Sequence, residues 1–197
     1  MNITTVIAIA GCCALGVAVN TGCGGSGEKE KTEGASVASD SAVQAAAPAP
    51  STNATEEGAR AVLAPFLLPG ADHAALSATL RPAPQDYTTL FTDDFAQKAQ
   101  EMYDPVWESG ELVIAPKEGQ TELILHGATT EELKGWTGSA SEFPEGYKEV
   151  AQKMKDGLTI YRFTFVTPGD ELGMAFDGLV YVNGHWVIVP KPWRVES

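Results

Sequence analysis

The chain has 197 residues, of which 13 are Lys or Arg and 26 are Asp or Glu, so its formal net charge is −13. This acidic balance argues against a nucleic-acid-binding surface, because phosphate binding requires a positive field. The three cysteines are Cys12, Cys13 and Cys23. The remainder of the chain therefore has no disulfide, no thiolate zinc site and no cysteine nucleophile.

The N-terminal segment has the composition of an export signal. Ile3 to Val19 is an apolar run of 17 residues, and no charged side chain precedes position 28. A membrane-spanning helix needs about 20 mostly apolar residues, whereas the apolar region of a signal peptide is shorter. We therefore expect residues 1–22 to form a signal peptide.

The end of this segment, Val19-Asn20-Thr21-Gly22-Cys23, resembles the lipobox of bacterial lipoproteins, in which small residues precede a cysteine that is lipidated. The resemblance implies that Cys23 is the lipidation site and anchors the protein to a membrane. Cys12, which follows Ile9-Ala10-Gly11, is the other candidate for the processed cysteine. By the same resemblance, Gly24 after the cysteine implies the outer membrane or cell surface of a bacterial envelope; a secreted or periplasmic product is the alternative.

Residues 23–54 are dominated by Gly, Ser, Ala, Thr, Pro, Glu and Lys. Such a segment cannot bury enough apolar area to offset its chain entropy, so the composition predicts a disordered linker. A single domain is expected at residues 55–197. It contains 11 basic and 22 acidic residues and so carries −11 of the net charge.

Helix signals come first in this domain. Thr55, Asp72 and Thr92 each precede a stretch with apolar residues at helical spacing, and each is a residue type that caps helix N-termini. The sequence therefore predicts three helices, with Pro82 and Pro84 ending the second.

Five strands are predicted after these helices. Two form a first hairpin, Leu112–Ala115 with Leu123–Leu125. A further helix begins at Pro144, and three more strands then form a meander: Leu158–Val166, Met174–Val182 and His185–Val189.

This order of elements resembles the NTF2-like α+β cone, a curved antiparallel sheet wrapped around helices. The stretch from Arg60 to Pro82 adds similarity to the opening helices of that superfamily. The resemblance implies an α+β fold, with N-terminal helices packed on a curved antiparallel sheet of about five strands. It also implies a pocket but no particular chemistry, because the superfamily includes isomerases, dehydratases, transport factors and exported domains without known activity.

The last hairpin is joined by Asn183-Gly184, which predicts a two-residue type I′ turn. Strict alternation then places Asp177, Leu179, Tyr181, Trp186 and Ile188 on one face, and both faces are largely apolar. An antiparallel sheet with one wet face alternates apolar and polar residues instead. We therefore expect the second face to meet a second copy of the protein or another envelope protein. In the alternative, residues 191–194 fold back over it.

Asp177 is the one acid on a predicted central strand. A carboxylate in an apolar pocket has a raised pKa and is a candidate general acid or base. The alternative is an Asp paired with Arg162 or bonded to the backbone. With Tyr181, Trp186 and Trp107, Asp177 forms the ligand-binding set that we predict, although such tryptophans are more often core residues.

Metal and cofactor chemistry has no support in the sequence. His73, His126 and His185 are far apart and belong to no zinc-binding pattern, and no nucleophile motif is present. We expect an exported, lipid-anchored envelope protein whose domain binds a small ligand or a protein without catalysis. The alternative is an NTF2-like isomerase or dehydratase that uses Asp177.

Overall fold

The computed structural model describes residues 54–196, so the predictions about the signal segment, Cys23 and nearly all of the linker lie outside the described residues. Residues 54–196 form an α+β domain with a four-stranded antiparallel sheet. Within this range, no helix has the length and hydropathy needed to span a bilayer.

The helices and strands account for most of the domain. The helices are α1 Glu56–Leu63, α2 His73–Ala78, α3 Pro84–Leu90, α4 Asp93–Ser109, α5 Thr130–Gly135 and α6 Tyr147–Val150. The strands, in spatial order, are β1 Glu122–Thr129, β2 Thr159–Val166, β3 Gly173–Val182 and β4 His185–Ile188. Short 3-10 turns lie at Ala64–Leu67, Gly138–Glu142, Ala151–Lys153 and Pro192–Glu196.

The three predicted helix starts are confirmed. Thr55 Oγ1 accepts a hydrogen bond from the Gly58 N–H (3.2 Å), and Asp72 Oδ1 accepts one from the Ala75 N–H (3.0 Å). Thr92 stands at the N-cap of α4 without a side-chain bond. Thr55 and Asp72 thus satisfy N–H groups that the first turn of a helix leaves unpaired, which is why they mark the boundaries.

Helix α3 was not predicted. Pro84 was expected to end the preceding helix, but it occupies the first turn of α3. A backbone N–H at this position would have no acceptor within the helix, so proline loses no hydrogen bond there. Asp86 completes the start of α3 by accepting a hydrogen bond from the Ala83 N–H at 2.7 Å. The two prolines therefore separate two helices rather than ending a helical region.

The predicted first hairpin is wrong. Residues 112–115 form no strand, and all eight residues of β1 pair with β2. The Ile114 N–H donates to Ser77 Oγ at 2.8 Å, so this segment is held to α2 instead of to β1. The sheet of the described domain consequently has four strands and not five.

The β3–β4 hairpin has the predicted register. Val182 pairs with His185 and Tyr181 with Trp186. Asn183 and Gly184 have φ angles of 50° and 88°, as a type I′ turn requires of both central residues.

A β-bulge in β3 overturns the predicted side-chain faces. Tyr161 and Phe163 are two residues apart on β2 and face Leu179 and Phe176, which are three residues apart on β3. Asp177 and Gly178 therefore both lie opposite a single residue of β2. The extra residue reverses the alternation, so Phe176 shares a face with Leu179 and Asp177 does not.

Helices of the described chain pack on both faces of the sheet, although they leave Ala175 on the second face exposed. A protein partner for that face stays a prediction. On one face, the Phe66 ring that follows α1 lies 6.4 Å from the ring of Phe165. On the other, α3 reaches His185, and Val180 and Val187 are almost fully buried. The helices flank the sheet on two sides, which explains why both faces of the last hairpin are apolar.

Candidate ligand-binding groove

A groove of about 470 Å³ opens beside the first half of β3, and we call it the α4–β3 groove. Most of its walls are apolar side chains from α4 and from residues 111–114. Its lining consists of Met102, Tyr103 and Val106 of α4, residues 111–114, residues 174–177 of β3, Pro190, Lys191 and Arg194. This size and polarity are typical of a small-ligand site.

The groove exists because the chain leaves the sheet early after β4. The last backbone hydrogen bond along this hairpin joins the Val189 N–H to the Gly178 carbonyl at 3.0 Å. Pro190 follows and has no N–H to continue a ladder. Lys191 then adopts a φ of 56°, which turns the chain away and leaves the start of β3 beside open space.

Asp177 lies at this turning point and is only 6% exposed. Its Oδ1 accepts two hydrogen bonds, one from the Tyr147 hydroxyl at 3.1 Å and one from the Lys191 N–H at 2.8 Å. Burial raises the pKa of Asp177, and these two hydrogen bonds oppose that rise. The carboxylate therefore joins β3 to α6 and to the C-terminal turn.

The alternative role considered for Asp177 in the sequence is confirmed in one of its two forms. Asp177 is bonded to the backbone, at Lys191. Arg162 does not form an ion pair with it; one guanidinium nitrogen of Arg162 donates to the Glu142 carbonyl at 2.6 Å. The Arg162 guanidinium is therefore bonded to the backbone at Glu142, and its charge only helps the two hydrogen bonds to oppose the rise in the Asp177 pKa.

Two tyrosines support the floor of the groove. The Tyr103 hydroxyl donates to the Pro190 carbonyl at 2.6 Å, and the Tyr103 ring stacks on Tyr87. Burial raises the pKa of Tyr103 and of Tyr147 above that of free tyrosine. Both hydroxyls are therefore protonated donors that fix the C-terminal turn and Asp177.

The four side chains of the predicted ligand-binding set are not brought together. Asp177 lines the α4–β3 groove. Tyr181 and Trp186, whose rings are 5.4 Å apart, line a different depression beside α1. Trp107 is buried in α4, outside the lining of the groove, and within residues 54–196 its indole N–H has no hydrogen-bond partner. The bulge at Asp177 is the reason for the separation, because it moves Asp177 off the face of Tyr181 and Trp186.

Sequence reasoning missed most of the residues that line the groove. Val106 belongs to the helix predicted after Thr92, and Val113 to a predicted strand, but neither residue was expected at a site. Lys191 and Arg194 were considered only as part of a segment that folds back. Pro190 after the last strand was the available signal, since a proline there ends the pairing of β4 and opens the edge of β3.

A second polar cluster lies at the far end of the hairpin. Asp86 is fully buried. Its Oδ1 accepts a hydrogen bond from Asn183 Nδ2 (2.7 Å), and its Oδ2 lies 3.0 Å from His185 Nε2. These contacts tie the β3–β4 turn to α3. Within residues 54–196, no group of three or more His, Cys, Asp or Glu side chains is placed to hold a metal ion.

Comparison of the chain with protein-family models, with curated proteins and with solved structures finds no match.

Proposed function

We propose that the protein is an exported, lipid-anchored envelope protein whose domain binds a small, mostly apolar ligand in the α4–β3 groove without catalysing a reaction. The observation that carries the binding part is the groove itself, whose apolar walls surround a buried carboxylate that is already bonded to Tyr147 and Lys191. A ligand there meets mostly apolar contact area, and no Ser, Thr or Cys is among the described residues that line the groove.

Catalysis by Asp177 is the second candidate, in an isomerase or dehydratase of NTF2-like type. Burial of Asp177 in the groove wall and its raised pKa favour this reading. Against it, two hydrogen bonds occupy Oδ1, so Oδ2 alone is left to act as a general base. The NTF2-like relationship is likewise a proposal, supported by helices that precede an antiparallel sheet with a cavity beside it.

The export part rests on the apolar run from Ile3 to Val19 and on the lipobox-like segment before Cys23. It is tested by metabolic labelling of the full chain with palmitate in a bacterial host, followed by fractionation. We expect labelled protein in the membrane fraction, and loss of the label in the Cys23→Ala variant but not in Cys12→Ala. Loss of the label only in Cys12→Ala would identify Cys12 as the lipidated residue, and unlabelled protein in the cytosol would refute export.

The binding part is tested with Nile red, an apolar dye whose fluorescence rises in apolar sites. We expect the protein to take up the dye and the Val106→Trp variant to lose at least ten-fold in affinity, because the new side chain fills the groove. Val62→Trp is the matched control, since Val62 is also a half-buried helical valine but lines the depression beside Tyr181. Equal loss in both variants would mean that the dye binds elsewhere or that folding is disturbed.

A further inference from the structure

A free strand edge runs along the α4–β3 groove. β4 pairs only with residues 179–182 of β3. Along one edge, residues 173–176 pair with β2. Along the other edge, residues 173–177 make no backbone hydrogen bond to any part of the chain that the structure describes. An unpaired edge presents N–H and C=O groups in the spacing of a β-ladder, which makes it a template for another strand.

The groove meets this strand at its edge and not on one of its faces. Four consecutive residues of β3, 174–177, line the groove. Successive side chains of a strand point to opposite faces, so a cavity on one face would contact only every second residue. The lining therefore places the backbone groups of the edge on the wall of the groove.

A second part of the groove wall is apolar. Residues 111–114 supply Leu112, Val113 and Ile114, and Val113 is 42% exposed although its side chain is apolar. This segment forms no ladder with β3, and its Ile114 N–H is already taken by Ser77. The space between the two walls thus combines a polar backbone edge with apolar contact area, as strand-addition sites do.

Two cations stand where the groove reaches Asp177. Lys191 and Arg194 both line the groove, and the Arg194 N–H donates to the Lys191 carbonyl at 3.0 Å, so one turn holds both. Within residues 54–196, neither side chain forms an ion pair, although Glu111 also lines the groove. Asp177 also lines the groove and feels the Lys191 charge, but neither cation is within ion-pair distance of an acid that the structure describes, so both favour a carboxylate on the ligand.

We propose that the ligand of the α4–β3 groove is an extended peptide segment with apolar side chains, which adds as a strand to residues 173–177 and places a carboxylate beside Lys191 and Arg194. The inference rests on the proposed function, because it names the ligand class of the same groove. A small apolar molecule would fill the cavity but leave the edge groups unpaired. A peptide of about five residues has the length of the free edge, at roughly 3.3 Å per residue.

The test uses the purified protein and a pentapeptide of alternating Val and Ala with a free C-terminal carboxylate, measured by calorimetry and by displacement of Nile red. Two matched peptides isolate the two kinds of contact. One carries N-methyl groups on alternate residues, which removes donors of the ladder, and the other ends in an amide. We expect N-methylation to weaken binding at least ten-fold and the amide to bind several-fold more weakly than the acid.

Variants of the protein test the same contacts from the other side. In a Lys191→Gln, Arg194→Gln double variant, the acid and the amide are expected to bind equally. Val113→Asp is expected to lower the affinity for the peptide at least ten-fold, because it adds a charge to the apolar wall. Leu172→Asp is its control, since Leu172 is 88% exposed and does not line the groove.

The outcomes separate this inference from the proposed function. If the protein takes up Nile red and decanoate displaces the dye but the peptides do not, the proposed function stands and the peptide assignment is overturned. Equal affinity for the methylated and unmethylated peptides would also overturn it. A dimer that Val113→Asp dissociates would do the same, because a second copy would then occupy the groove. Absence of any binding of dye and peptide would refute both proposals.

Discussion

The backbone N–H of Lys191 donates a hydrogen bond of 2.8 Å to the Oδ1 atom of Asp177, and this contact closes the C-terminal turn onto the bulge of β3. The same oxygen receives the Tyr147 hydroxyl, so one atom connects three elements that are distant in sequence. The end wall of the α4–β3 groove depends on this atom.

Replacement of Asp177 by Ala and by Asn separates the role of the acceptor from that of the charge. Asp177→Ala leaves two buried donors unpaired, and we expect a loss of about 2–4 kcal/mol in the free energy of unfolding, since an unsatisfied buried group costs about 1–3 kcal/mol. Asp177→Asn keeps an oxygen at Oδ1 and is expected to lose less than about 1 kcal/mol. Chemical denaturation measures both, and equal losses would show that the charge is what matters.

The pH dependence of stability provides a separate check on Asp177. Burial raises its pKa in the folded state above the ordinary value of 3.8. At a pH between the two pKa values, the folded state binds more protons at Asp177 than the unfolded state does. The free energy of unfolding therefore falls as pH rises through this range, and above it the loss stays constant.

Denaturation of the wild type and of Asp177→Asn from pH 4 to pH 7 isolates this contribution, because the other carboxylates titrate in both proteins. Wild-type stability is expected to fall relative to Asp177→Asn as pH rises. A relative gain with rising pH would mean that the hydrogen bonds lower the folded pKa of Asp177 below 3.8 and outweigh burial.

Gly178 is required at the bulge for two reasons that a control can separate. Its φ is 83°, and a Cβ there would stand 2.0 Å from the Val189 carbonyl oxygen. Gly178→Ala is therefore expected to cost about 4 kcal/mol or to prevent folding. Gly169→Ala has nearly the same φ, 84°, but no atom within 4 Å of the new Cβ, so about 1–2 kcal/mol is expected.

The difference between the two glycine variants measures the close approach of β3 to Val189, because the backbone strain is common to both. Thermal unfolding followed by circular dichroism is sufficient. Similar melting temperatures for Gly178→Ala and Gly169→Ala would contradict the tight bulge.

Asp86 stabilises the hairpin turn from α3. Asp86→Ala removes the acceptor of the Ala83 N–H, of Asn183 Nδ2 and of the His185 ring, and we expect a loss of about 3 kcal/mol in the free energy of unfolding. Asp104→Ala is the control, because within residues 54–196 the half-buried Asp104 accepts a side-chain hydrogen bond only from Gln100, one turn earlier in α4. A change below about 0.5 kcal/mol is expected there.

A double-mutant cycle with Asn183→Gly tests the turn contact directly. Glycine keeps the positive φ of position 183 but removes the amide. We expect a coupling energy of about 1–2 kcal/mol between Asp86→Ala and Asn183→Gly. Additive losses would show that the 2.7 Å contact contributes nothing to stability.

The sequence predicted those features that a few neighbouring residues determine. Thr55 and Asp72 mark helix starts because their own side chains bond within the first turn. Asn183-Gly184 specifies its turn because both residues tolerate positive φ. Each of these depends on contacts within four residues, which local patterns record.

The candidate site was predictable only at Asp177, because its geometry depends on contacts between distant segments. The bulge changes which face Asp177 occupies, and an isolated glycine inside a strand, Gly178, was its only local sign. The apolar run at 112–115 looks like a strand in isolation. Its partner is Ser77, 37 residues earlier, and no periodicity reveals that contact.

The C-terminal turn also bears on how the protein should be handled in the laboratory. Arg194 lines the α4–β3 groove and belongs to the 3-10 turn Pro192–Glu196. A purification tag or fluorescent fusion attached directly after this turn would begin beside the groove and compete with whatever binds it.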